Sequence, residues 1–112
     1  SKLEELVLSG NRIGGAGAGL LAVALSSVPH LHTLDLRANR IDDAGGRPFG
    51  ERMHDMHLAE ICLQDNRLGD TAAEAIAASL PNCPWLRDLR LTGNRIADRG
   101  ATALALAHQF NG

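Results

Sequence analysis

Leu31-His32-Thr33-Leu34-Asp35-Leu36-Arg37-Ala38-Asn39-Arg40-Ile41 is the stretch that decides the fold of this 112-residue chain. Leu34 and Leu36 alternate with polar neighbours, the period of a strand with one face turned to a core. Asn39 comes where such a strand must turn away, and its amide can both donate to and accept from loop backbone groups. The same anchors recur as Leu3-Leu6-Leu8-Asn11-Ile13, Leu58-Ile61-Leu63-Asn66-Leu68 and Leu86-Leu89-Leu91-Asn94-Ile96. The asparagines stand 28, 27 and 28 residues apart. Five positions kept in type through four copies leave no room for coincidence, and a period in this range marks a stack of like units.

A helix signal follows each Asn. Asp43, Asp70 and Asp98 occupy equivalent positions and suit a helix N-cap; Gly15 takes that place in the first unit. Two positions later stands a small residue, Gly17, Gly45, Ala72 or Gly100, expected to let helix pack closely on sheet. Ala18-Leu21-Ala22-Leu25 and Ala73-Ile76-Ala77-Leu80 have helical apolar spacing. Pro29, Pro81 and Pro84 fall in the return loops, where they stop the helix. The second unit departs from the pattern. Its Gly45-Gly46-Arg47-Pro48-Phe49-Gly50 opposes a helix, so a short or distorted one is expected, with Phe49 and Met53 in the core slots.

The pattern L-x-x-L-x-L-x-x-N-x-[IL] resembles the leucine-rich repeat family. Its 28-residue period and the segment after each Asn are similar to the ribonuclease-inhibitor-like subtype, as in NOD-like receptors and the Ran GTPase-activating protein. The resemblance covers the whole chain, 1–112, as four repeats of approximately 3–30, 31–57, 58–85 and 86–112. It implies an α/β fold, a right-handed solenoid forming a horseshoe segment, with a parallel sheet on the concave side and helices on the convex side. The residues Asn11, Asn39, Asn66 and Asn94 then form a stacked structural ladder. Neither end carries a polar cap, so a segment of a longer solenoid is expected, and the isolated piece is expected to be marginal or to associate end to end.

Composition narrows the function. A formal net charge of -2 leaves no basic surplus for phosphates, so nucleic acid is not the expected partner. No apolar run approaches a membrane span, and the N-terminus lacks the basic-then-apolar layout of a signal peptide. Aromatic residues reach only 3%, so the core must be built from Leu, Ile, Val and Ala. Two cysteines make no disulfide framework, and a reducing, cytoplasmic location is expected. Phosphate-loop, Gly-x-Ser-x-Gly and His-Glu-x-x-His signatures are absent, so neither an enzyme nor a cofactor is expected. Gly14-Gly15-Ala16-Gly17-Ala18-Gly19 reads as helix packing, because it lies where every repeat turns into its helix.

The candidate site is the outward side of the strands, a grid on which a protein partner would dock. Its rows read Glu5-Val7-Ser9, Thr33-Asp35-Arg37, Glu60-Cys62-Gln64 and Asp88-Arg90-Thr92. The column Glu5, Thr33, Glu60, Asp88 is acidic, which costs stability unless compensated. Arg37 and Arg90 are the best anchors, since hot spots favour Arg, and Cys62 is a candidate accessible thiol. A second row, Arg12, Arg40, Arg67 and Arg95, follows the asparagines. It could clamp an acidic partner or a phosphate, or its members pair with nearby acids such as Asp42, Asp65 or Asp98, or they are solvated. His30, His57 and Trp85 precede the first Leu of their repeats and should be neighbours. His32 and His54 could join them, yet the spacing is not that of a metal site. The expected function is a protein–protein interaction scaffold. The alternatives are a GTPase-activating segment like the Ran activator, for which only a loop Arg could be nominated, and a purely structural spacer.

Overall fold

Among the described residues four three-residue strands and four α-helices alternate: β1 (Glu5–Val7), α1 (Gly14–Leu25), β2 (Thr33–Asp35), α2 (Asp43–Arg52), β3 (Glu60–Cys62), α3 (Asp70–Ser79), β4 (Asp88–Arg90) and α4 (Asp98–Asn111), with short 3-10 helices at Met53–Asp55 and at Leu80–Asn82, the latter holding Pro81. The computed structural model describes residues 3–28 and 30–111, with side chains through Ala107; Pro29, expected to stop α1, lies outside the described residues. The strands pair in parallel in the order β1-β2-β3-β4. Register is the repeat itself: Leu6 aligns with Leu34, Leu34 with Ile61, and Ile61 with Leu89. Leu31, Leu34, Leu36 and Ile41 of the second repeat are fully buried, as are Leu58, Ile61, Leu63 and Leu68 of the third. Leu6, Leu8, Leu89 and Leu91 are only partly buried.

The ladder runs backwards along the stack. Asn39 Oδ1 accepts the N–H of Asn11 at 2.8 Å and of Ile13 at 3.3 Å, both in the preceding repeat. Its Nδ2 donates to the Leu8 carbonyl at 2.9 Å and to that of Arg37 at 3.1 Å. Asn66 does the same for Asn39 and Ile41, both at 3.0 Å, and Asn94 for Leu68 at 2.9 Å. Asn39 and Asn66 are buried, whereas Asn11 is exposed and its side chain donates to the Leu8 and Ser9 carbonyls of its own turn. The residue before each Asn adopts a left-handed backbone: Gly10 at φ 72°, Ala38 at 56°, Asp65 at 60° and Gly93 at 74°. This step swings the chain out of the strand so that the Asn points back across it.

Three expectations need correction. Asp43 and Asp70 do not cap their own helices. Asp43 Oδ1 accepts the N–H of Gly69 at 2.8 Å and of Ala72 at 3.1 Å, so it caps α3. Asp70 Oδ1 likewise accepts from Ala97 at 2.8 Å and Gly100 at 3.0 Å, capping α4. The cap of α2 is Asp42, which accepts from Ala44 N–H at 3.1 Å. The reason is geometric: stacked helices start level, so an acid inside one first turn lies beside the open donors of the next. Secondly, α2 is not short. It has ten residues, like α3, and carries Pro48 inside it. Phe49 and Met53 are buried as expected. The disfavoured glycines are there for contact: a Cβ on Gly50 would lie 2.8 Å from the Ile76 nitrogen, against the α3 backbone. Thirdly, Gly45 and Gly100 serve helix–helix rather than helix–sheet packing, while a Cβ on Gly17 would meet Ile13 of its own repeat at 2.8 Å. A side chain on Gly45 would strike the Gly15 carbonyl, and one on Gly100 would lie 2.7 Å from Asp70 Oδ1.

Replacing buried Asn39 with Ala strands two donors and two acceptors, so urea melts should show a loss of about 1–3 kcal/mol, against about 0.5 or less for exposed Arg40→Ala. Asp70→Ala removes the α4 cap and should cost about 1 kcal/mol in the same assay, whereas Asp98→Ala in the equivalent position should be near neutral. Ala38→Gly relieves a left-handed alanine and should stabilise by about 0.5–1 kcal/mol; a melt unchanged or lowered would show that the turn is not strained.

Candidate functional site: the outward face of the sheet

Alternation along β1–β4 turns Leu6, Leu34, Ile61 and Leu89 inward and sends the grid residues to the opposite face. Strand pairing brings them together in the rows expected. Glu5 aligns with Thr33, Glu60 and Asp88; Val7 aligns with Asp35, Cys62 and Arg90. Glu5, Val7, Ser9, Arg37, Arg90 and Thr92 are exposed, while Thr33, Glu60, Gln64 and Asp88 are half-buried. Asp35 and Cys62 are 8% and 7% exposed, so the centre of the grid is largely closed.

Two ion pairs close it. Arg37 folds back along its own strand onto Asp35, with Nε at 3.0 Å from Oδ1 and Nη2 at 2.9 Å from Oδ2. Arg90 does the same to Asp88, with Nη2 at 2.9 Å from Oδ2. Residues two apart on a strand share a face, and the planar guanidinium spans the gap with a two-point grip. The Arg37 side chain holds the Asp35 carboxyl below its ordinary range, against the opposing effect of burial. Arg90 lowers that of Asp88 in the same way. Arg37 and Arg90, expected as the best anchors of the face, are thus each engaged with an acid of its own strand. Among the acids of the grid, Glu5 and Glu60 have no ion pair among the described residues, and Glu60 Oε1 accepts only the Cys62 thiol at 3.5 Å.

Cys62 is not an accessible thiol. Burial, then the Glu60 side chain, pushes its pKa above the ordinary thiol value, which opposes thiolate formation. Cys83 is a buried filler as expected, its pKa pushed up to about 11 by burial. Gln64 presents Oε1 as a buried atom without a hydrogen-bond partner. Arg12, Arg40, Arg67 and Arg95 are exposed and form no ion pairs among the described residues, so the pairing with Asp42, Asp65 or Asp98 is not made. His57 and Trp85 are neighbours, their ring centroids 4.2 Å apart and tilted by 47°. No group of three His, Cys, Asp or Glu among the described residues is placed to hold a metal ion. No described helix is long and apolar enough to cross a membrane.

The inter-repeat caps were the functional feature that sequence reasoning missed. One signal was available: the residue just before Asp70 and Asp98 is small, Gly69 or Ala97, whereas Asp42 stands there in the repeat that follows Gly15.

Comparison with known proteins agrees with this geometry. The Leucine Rich repeat family matches residues 1–22, 29–50, 54–77 and 82–105. Tonsoku-like protein of Mus musculus is 40% identical over 93 residues, covering 80% of this chain and 7% of that protein. Protein NLRC5 of Mus musculus is 37% identical over 105 residues, covering 93% of this chain and 5% of that protein. Ribonuclease inhibitor of Sus scrofa is 33% identical over 105 residues, covering 92% of this chain and 23% of that protein. The chain thus spans under a quarter of each of these relatives. Family match, repeat length, parallel sheet and Asn ladder agree: the chain belongs to the leucine-rich-repeat family, in its ribonuclease-inhibitor-like branch.

Proposed function

We propose that the chain is a non-catalytic protein-binding segment that meets its partner with the outward face of the sheet. The observation that carries this reading is the charge layout of that face. Both arginines are neutralised by acids of their own strands, so Glu5 and Glu60 are left as its unmatched charges. They stand in one column of the grid, two strands apart, about 10 Å. A partner bringing basic side chains to that column removes a like-charge cost and gains orientation and on-rate. The rigid sheet supports docking, because its variable side chains are held in register without ordering loops on binding. One relative is named for inhibiting a ribonuclease, which is itself a protein. Nucleic acid fits poorly with an acidic column, and two free, buried thiols suit the reducing cytoplasm. End-to-end self-association would use a different surface, the two open edges of the sheet. No observation favours the GTPase-activating alternative, since nothing sets one loop Arg apart.

Partners captured by the full-length protein should bind the Glu5→Lys/Glu60→Lys variant about tenfold more weakly, mainly through a slower on-rate. A swap of the convex pair, Glu74→Arg with Arg99→Glu, should leave binding unchanged, since that pair lies between α3 and α4 at 3.1 Å. Binding lost in the convex swap and kept in the sheet variant, with both variants folded, would reject the reading.

A further inference from the structure

The strand β3 lies inside the sheet, with β2 on one side and β4 on the other. On the outward face its line of side chains runs Glu60, Cys62, Gln64. Two of these three carry acceptors that the described residues leave unmatched. Gln64 Oε1 is buried without a hydrogen-bond partner. Its neighbours across the sheet are turned elsewhere: Arg37, level with it on β2, folds onto Asp35, and Arg90 on β4 folds onto Asp88. Glu60 has no ion pair, and its Oε1 accepts only the Cys62 thiol at 3.5 Å. A buried acceptor without a donor is costly, and native chains keep few of them.

The spacing of the two acceptors says what could meet them. Four residues of strand separate Glu60 from Gln64, about 13 Å at the rise of a β-strand. An extended chain laid along β3 has the same period, so its residues i and i+4 come over Glu60 and Gln64, and residue i+2 over Cys62, which is small and buried. A helix fits less well. Its turns bring side chains back at about 11 and 16 Å, and its width of about 10–12 Å spans more than two strands. It would therefore rest on the Arg37 side chain, which stands half-exposed beside β3.

We propose that β3 takes an extended basic segment of the partner protein at two points: a cationic side chain at i pairs with Glu60, and an arginine at i+4 donates to Gln64 Oε1. A small residue at i+2 passes over Cys62. Gln64 is half-buried, so rotation about its own side-chain bonds brings Oε1 to the surface. This inference rests on the outward face being the binding surface, and adds which strand sets the register and what the partner carries. Glu60 supplies attraction and on-rate. Gln64 supplies discrimination, because a segment without a donor at the right distance leaves its acceptor unpaired.

Two dye-labelled peptides of equal composition and charge test it by fluorescence anisotropy against the full-length protein at low salt: acetyl-Gly-Arg-Ser-Ala-Ser-Arg-Gly-amide, with arginines at i and i+4, and acetyl-Gly-Arg-Arg-Ser-Ala-Ser-Gly-amide, with the two adjacent. The spaced peptide should bind about tenfold more tightly. Gln64→Met keeps the length of the side chain and removes its acceptor; it should erase that preference while leaving the adjacent-arginine peptide unchanged. Hydrogen exchange of the β3 amides should be no faster in this variant, since no bond within the chain is lost. Glu60→Gln should weaken both peptides. Failure of either peptide to bind, equal binding of the two, a preference kept in Gln64→Met, or faster β3 exchange in that variant each overturns the inference and leaves the outward-face reading standing. Binding of both peptides unchanged in Glu60→Gln overturns the inference and that reading together.

Discussion

A turn that leaves a buried strand must satisfy backbone groups that no longer have a ladder, and in this chain one asparagine per repeat does so for its neighbour. Asn39 reaches back to two N–H groups of the first repeat while holding its own turn through Nδ2. Leaving buried groups unpaired costs about 1–3 kcal/mol, so the stack is weakened wherever one of these positions is empty. Everything else keeps to that spacing. The strands are three residues long because the chain turns at the left-handed residue before each Asn. The helices α2, α3 and α4 start level because Asp43, Asp70 and Asp98 follow Asn39, Asn66 and Asn94 at one spacing, and level starts let an acid in one repeat cap the next.

Each repeat is therefore completed by its neighbour at two points. The Asn bonds run from the later repeat to the earlier one, and the Asp caps from the earlier to the later. Opposed dependencies of this kind give the solenoid a direction and make its ends chemically different. Gly15 shows the arrangement from its exception. With no acid to offer, the first repeat lies close to the second, so close that a side chain on Gly45 would strike its backbone, and Asp42 takes over the cap.

The outward face has a different logic. Its acids and bases pair along strands rather than across them, because residues two apart on one strand share a face and Arg is long enough to fold back. Pairing of this kind occupies both arginines and leaves Glu5 and Glu60 as the acids of this face without an ion pair among the described residues.

The sequence by itself determined the repeat, its register and its core. Four copies of an alternating pattern ending in Asn leave one way to bury Leu34, Ile61 and Leu89 on a single face, and the ladder Asn39–Asn66 follows from burial of a side chain with both donor and acceptor. It also aligned the grid, since a 27- or 28-residue repeat keeps equivalent residues side by side. Tertiary structure alone decided which groups on that grid are free. The Asp35–Arg37 grip, the burial of Cys62 and the Asp43 and Asp70 caps depend on side-chain reach between elements. An Asp before a helix reads locally as that helix's own cap; only stacking shows that the nearest open donors belong to the next repeat, because proximity across the stack is shorter than proximity along the chain.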